Sequence, residues 1–90
     1  MGVNTDDILK ERGARYGSFE THDRITQEIK TVIYGYTPMK TLRDFQKESL
    51  DMIAHKIGRI VNGDPDYIDS WDDIAGYAKL VADILRGEKK

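Results

Sequence analysis

Apolar residues along the chain recur at spacings of three and four and never alternate with period two, which predicts helices and no strands. Ile25, Ile29, Val32 and Ile33 make one stripe, so a helix is expected from about Thr21 or His22 to Tyr34, stopped by Gly35. Leu42, Phe45, Ser49, Ile53, Ile57, Ile60 and Val61 follow one face of the longest helix. It opens at Thr41, where Thr41-Leu42-Arg43-Asp44 reads as a capping-box variant, and ends at Asn62-Gly63, residues that tolerate a left-handed C-terminus, with Pro65 just beyond. Trp71, Ile74, Ala75, Ala78, Val81, Ala82 and Leu85 give a last helix a broad apolar face, with Ser70 as its cap, Asp73 closing a second capping box and a frayed tail from Gly87. A short first helix, capped by Asn4 or Thr5, ends at Gly13, and Arg15 to Phe19 form an irregular loop. Tyr36-Thr37-Pro38 makes the connection to the long helix. The expectation is an all-α fold, one domain over residues 1–90. It is a small helical bundle of three to four helices, centred on two long antiparallel helices at about 41–62 and 70–86.

Composition narrows the functions this fold could carry. Sixteen acidic residues against fourteen basic ones leave a net charge of −2, so bulk nucleic-acid binding is not expected. The absence of cysteine removes disulfides, thiolate metal sites and thiol catalysis, and fits a reducing cytoplasm. The first residues, MGVNTDDILKER, hold no apolar run and no segment approaches 18 apolar residues, so neither a signal peptide nor a membrane span is expected. A chain of 90 residues buries only about 60–65% of its unfolded surface. Self-association is therefore expected, through the wide apolar face of the last helix, where Ala75, Ala78 and Ala82 allow close approach.

A few polar residues do not fit a plain bundle. Lys56 and Arg59 follow Phe45, Ser49 and Met52 in one lane of the long helix, so two cations project from one side beside a tight turn. Such a pair suits a phosphate; alternatively both complement the helix C-terminus and pair with Asp64, Asp66 or Asp69. Asp73 borders the apolar face of the last helix, as a cap or as a carboxylate at the edge of a pocket. Arg15-Tyr16-Gly17-Ser18-Phe19 leads into a helix N-terminus, a place that receives anions, and Tyr16 or Phe19 could stack on a base or simply glue the loop to the core. His22 and His55 fall near helix surfaces without a partner histidine at ligand spacing, so a zinc site or nucleophilic triad is not expected. His22 remains a possible donor to a ligand. Glu48 with Asp51, and Asp69 with Asp72, stand at i, i+3 and could face one another across antiparallel helices to hold Mg²⁺.

The blocks Arg15-Tyr16-Gly17-Ser18-Phe19, His55-Lys56-Ile57-Gly58-Arg59-Ile60, Asn62-Gly63-Asp64-Pro65-Asp66-Tyr67, Asp69-Ser70-Trp71 and Asp73-Ile74-Ala75-Gly76-Tyr77-Ala78 resemble a family of small tailed-phage and prophage proteins. More distantly, their order is similar to phage nucleotide-modification-associated domains and to MazG-like all-α nucleoside triphosphate pyrophosphohydrolases. The latter resemblance implies a Mg²⁺ motif of Glu-x-x-Glu followed by Glu-x-x-Asp, for which Glu48, Asp51, Asp69 and Asp72 would have to serve.

Three functions follow as expectations. The first is a phage protein, working in the host cytoplasm, that holds a phosphorylated nucleotide or nucleotide-derived signal without turning it over and needs no cofactor. Arg15, Ser18, His22, Lys56 and Arg59 would meet phosphates, Tyr16, Trp71 or Tyr77 would stack, and Asp69 and Asp73 would orient cations or accept from a base. The second is a Mg²⁺-dependent pyrophosphohydrolase. The third is an inhibitor that docks on a host protein through the acidic segment from Asp64 to Asp73 with Tyr67 and Trp71.

Overall fold

The computed structural model describes residues 5–36 and 41–89, and they form four α-helices in the order α1 (Thr5–Tyr16), α2 (Phe19–Gly35), α3 (Asp44–Asn62) and α4 (Ile68–Glu88). The all-α expectation holds. The Asn4 cap and the connection through Thr37 and Pro38 lie outside the described residues. Helix α3 packs against each of the other three helices, α1 touches α2, and α4 packs on α3 alone among the described residues. The result is elongated, with extents of 51 × 29 × 25 Å and a radius of gyration of 15.8 Å, where a compact chain of this length has about 12 Å.

Several helix boundaries differ from those expected. Helix α1 runs through Gly13 to Tyr16, and the chain turns instead at Gly17, whose φ of 78° is the left-handed conformation that glycine adopts without strain. Only two residues, Gly17 and Ser18, separate the two helices, and Ser18 caps α2: its Oγ accepts from the Thr21 N–H at 3.3 Å. Thr41 stays outside α3. The N-cap is Arg43, whose backbone N–H donates to the Gln46 side chain at 2.9 Å. At the other end of α3, Gly63 has φ −127°, so its use is not a left-handed turn. A Cβ there would overlap the Arg15 carbonyl and the Tyr16 Cα; glycine is needed for close approach. Ser70 is not the cap of α4, which begins two residues earlier behind Tyr67; Ser70 is buried in its first turn. The tail is not frayed at Gly87, because α4 continues to Glu88 and Arg43 pairs with its carboxylate through two hydrogen bonds, at 2.6 and 3.1 Å.

The core is thin. Among the described residues the buried apolar side chains are Ala54 and Ile60, and no large side chain is completely buried. The remaining buried positions are Gly58 and the polar His22, Thr26, Ser49 and Ser70. Helix α2 packs closely on α3 at Gly58, where an added Cβ would lie 2.7 Å from Thr26 Oγ1 and 2.9 Å from His22 Cδ2. Thr26 Oγ1 is itself buried with no hydrogen-bond partner among the described residues. Gly58→Ala gains helix propensity of up to about 1 kcal/mol but overpacks this contact, at a cost of about 1–3 kcal/mol. The expected outcome is a lower midpoint in urea unfolding than wild type, whereas Gly76→Ala, where nothing lies within 4 Å, raises it.

Candidate functional site

The α1–α2 turn and the α3–α4 turn are locked together by backbone-directed bonds. The Asn62 side-chain amide donates to the carbonyls of Tyr16 (2.9 Å) and Ser18 (2.8 Å), and the Asp64 N–H donates to the Arg15 carbonyl (2.6 Å). Gly17 and Gly63 are the residues that let these two turns touch, since a Cβ on Gly17 would overlap Asn62. Asn62 was expected as a helix terminator. It does end α3, and its side chain also satisfies the Tyr16 carbonyl, which the end of α1 leaves without an internal partner, and adds a second donor to the Ser18 carbonyl, which already accepts from the His22 N–H.

This clasp sets α1 across the C-terminal half of α3 and opens a crevice between them. Its larger part, about 450 Å³, is lined by Leu9, Arg12, Gly13, Tyr16, Gly17, Ser18, Phe19, His22, His55 and Arg59. A smaller part, about 210 Å³, adds Ile8, Glu11 and Arg15 and shares Arg12, Tyr16 and Arg59 with the first. The Arg59 guanidinium lies over the Tyr16 ring, 4.3 Å from its centroid. The Arg15 guanidinium lies 4.9 Å from the Tyr67 centroid, donates to the Tyr67 hydroxyl at 3.2 Å and pairs with Glu11 at 2.8 Å. Tyr16 and Tyr67 meet edge to face, with centroids 6.0 Å apart. Neither Arg12 nor Arg59 forms an ion pair with a described residue. The guanidinium N–H groups of arginine form a planar fork that matches phosphate oxygens. The N-terminal turn of α2 borders the same space and adds the positive end of a helix dipole.

The floor of the crevice is a histidine pair. His22 is buried rather than at the helix surface, and its Nε2 donates to the His55 carbonyl at 3.0 Å, which fixes that nitrogen as the protonated one. The two rings stand edge to face with centroids 4.4 Å apart. Burial lowers the His55 pKa to about 4, and the nearby His22, Arg59, Lys56 and Lys30 act in the same direction.

The expected site residues therefore divide. Arg15, Tyr16, Ser18, His22 and Arg59 gather at the crevice. Lys56 does not join Arg59: it turns to α4 and pairs with Asp73 at 2.9 Å, its side chain only 12% exposed. Asp73 is thus neither a cap nor a pocket edge but a strut between α3 and α4. Asp69 accepts from the Tyr67 hydroxyl at 3.0 Å and reaches the crevice only through that ring. The Trp71 indole donates to the Pro65 carbonyl at 2.8 Å and braces the turn, while Tyr77 sits half-buried on α4; neither lines the crevice. The four carboxylates offered for Mg²⁺ do not converge: among the described residues no group of three or more histidine, aspartate or glutamate side chains is placed to hold a metal ion. Asp51 instead accepts from the Tyr34 hydroxyl, a bond that raises the Tyr34 pKa to about 12. Arg12 and His55 were not expected here. The signal for Arg12 was its place three and four residues before Arg15 and Tyr16, which counts only once the helix is seen to run through Gly13.

Comparison with known proteins adds one finding. The model of a family described as a domain of unknown function, DUF6378, matches residues 4–85, so the chain belongs to that family. No curated protein and no solved structure matches it.

His55 makes stability depend on pH. In the unfolded chain His55 takes a proton near pH 6.5, but in the fold it stays neutral down to about pH 4. Its contribution is complete above pH 6.5 and is lost as pH falls from 6.5 towards 4. Urea midpoints measured across this range should fall with acidification, and His55→Gln should flatten that fall. An equal slope in both proteins would rule the histidine out as its source.

Proposed function

We propose that this member of the DUF6378 family binds a phosphorylated nucleotide, or a signal derived from one, in the crevice between α1 and α3. The observation that carries the reading is the gathering of Arg12, Arg15 and Arg59 around Tyr16, in a chain whose net charge is −2. A concentration of guanidinium groups at a helix N-terminus favours an anion, and their planar forks favour phosphate or carboxylate. The smaller, arginine-lined part would take the phosphates. The larger part, with Leu9, Phe19 and the two histidine rings along its walls, would take the base and sugar. Phe19 is 78% exposed at its rim, so a stacked base would cover apolar surface that water now meets. Binding without turnover is the chemistry this donor set performs best: it offers cations and rings, and Glu11 is already paired with Arg15. Together with the resemblance to tailed-phage proteins, this favours capture of a nucleotide-derived host signal in the host cell over its hydrolysis.

Charge-assisted hydrogen bonds contribute about 1.5–3 kcal/mol each, which is about tenfold or more in affinity. Calorimetric titration with nucleoside mono-, di- and triphosphates and cyclic nucleotides should find at least one ligand. Arg12→Ala and Arg59→Ala should each weaken it at least tenfold while helix content by circular dichroism stays unchanged. Binding equal to wild type in both variants would contradict the proposal, and so would loss of helix content in Arg59→Ala, since the stacked guanidinium would then be structural.

A further inference from the structure

We propose that a second copy of this chain packs antiparallel on α4, along a heptad seam that flanks the face α4 turns to α3. This goes beyond the ligand reading and rests on a different part of the molecule. Towards α3, α4 turns Ser70, Ile74, Tyr77 and Val81, all buried or half-buried. About 100° around the helix runs a second apolar line: Ile68, Trp71, Ala75, Ala78, Ala82 and Leu85, at alternating spacings of three and four. That is the a/d pattern of a coiled coil, sustained from one end of the helix to the other. Ile68 is 66% exposed and Trp71 is 54% exposed, and Ala75 and Ala78 are exposed as well, because α4 packs on α3 alone among the described residues; Ala82 and Leu85 are half-buried, and Ala78 borders α3 beside Leu50 and Ile53.

Charge and size identify the occupant and its direction. Beside the seam Asp72, Lys79 and Arg86 follow one another at intervals of seven, acidic near the N-terminus and basic towards the C-terminus. An antiparallel copy sets Asp72 beside Lys79 of the second copy, twice by symmetry, and opposes the two helix dipoles; a parallel copy separates these charges, which then face the Ile74 and Val81 lane, and aligns the dipoles. Lys79 now pairs with Asp83 at 2.6 Å, an exposed contact worth little and easily exchanged. With the twofold axis between Gly76 and Tyr77, Trp71 meets Ala82, Ala75 meets Ala78 and Ile68 meets Leu85, so a large ring lies against a small residue. The contact also supplies what the single chain lacks, since Ala54 and Ile60 are its only buried apolar side chains among the described residues.

Sedimentation equilibrium at tens of micromolar should give twice the 10.3 kDa chain mass. Ala75→Glu, at an exposed position away from α3, should raise the dimer dissociation constant at least tenfold with helix content retained. The chain has no cysteine, so Ala75→Cys and Ala78→Cys report the register without relying on that variant. Under mild oxidation an equimolar mixture should yield mostly the mixed 75–78 disulfide. A monomeric wild type, a dimer indifferent to Ala75→Glu, or preferential 75–75 cross-linking would overturn the proposal, the first by leaving the seam to a different occupant and the last by making the pairing parallel.

Discussion

Everything distinctive about this chain depends on two turns pressed together, Gly17 and Gly63 at the contact and Asn62 bonded across it. Without that clasp α1 would have little to hold it. It offers α3 and α2 only a few apolar residues, and Ile8 and Leu9 remain 40% and 61% exposed. The bonds are to backbone carbonyls, so they fix the position of the chain rather than of one side chain. Because the Arg15 and Tyr16 carbonyls are both held, the side chains of the last turn of α1 are aimed at α3 and at Tyr67. The cationic crevice is a consequence of that aim.

The rest of the molecule is organised to leave this region polar and open. Among the described residues helix α3 separates α2 from α4, so no core forms jointly between these three helices. Small and polar residues, not large apolar ones, fill close contacts: Gly58 against Thr26 and His22, and Ser49 and Ser70 elsewhere. Paired charges act as struts along α3, Lys56 with Asp73 and Arg43 with Glu88. The exposed Arg43–Glu88 pair adds little energy, but it ties the start of α3 to the end of α4 and fits their antiparallel course.

Much of the fold was legible in the chain, and the reasons it was only partly legible are local. Stripes such as Ile25, Ile29, Val32 and Ile33 identify a helix because burial on one face requires that spacing, whatever the partner. Helix ends depend on competition between nearby signals. Gly13 reads as a stop, yet a glycine inside a helix costs only about 1 kcal/mol, and the stronger stop is Gly17 with Ser18 capping the next helix. Ser70 and Asp73 have the spacing of a capping box, but Lys56 lies within reach of Asp73 in space, and an ion pair with a shielded lysine prevails over a local cap. The site was half visible for the same reason. Arg15, Tyr16 and Arg59 stand out in the sequence, whereas Arg12 and His55 join them only through helix phase and a contact between segments more than forty residues apart. The carboxylates at Glu48, Asp51, Asp69 and Asp72 have the right local spacing for a metal, but spacing within each helix says nothing about how the two helices are rotated towards each other.

The central claim is that the crevice between α1 and α3 is where a phosphorylated ligand is held. Backbone and side-chain NMR resonances followed during titration with a nucleotide panel test it most directly, because they locate the ligand as well as detect it. The account predicts that shifts concentrate on Arg12, Tyr16, Phe19, His55 and Arg59 and leave Trp71 and Tyr77 unmoved. Shifts centred on α4, or none with any phosphorylated compound, would contradict it.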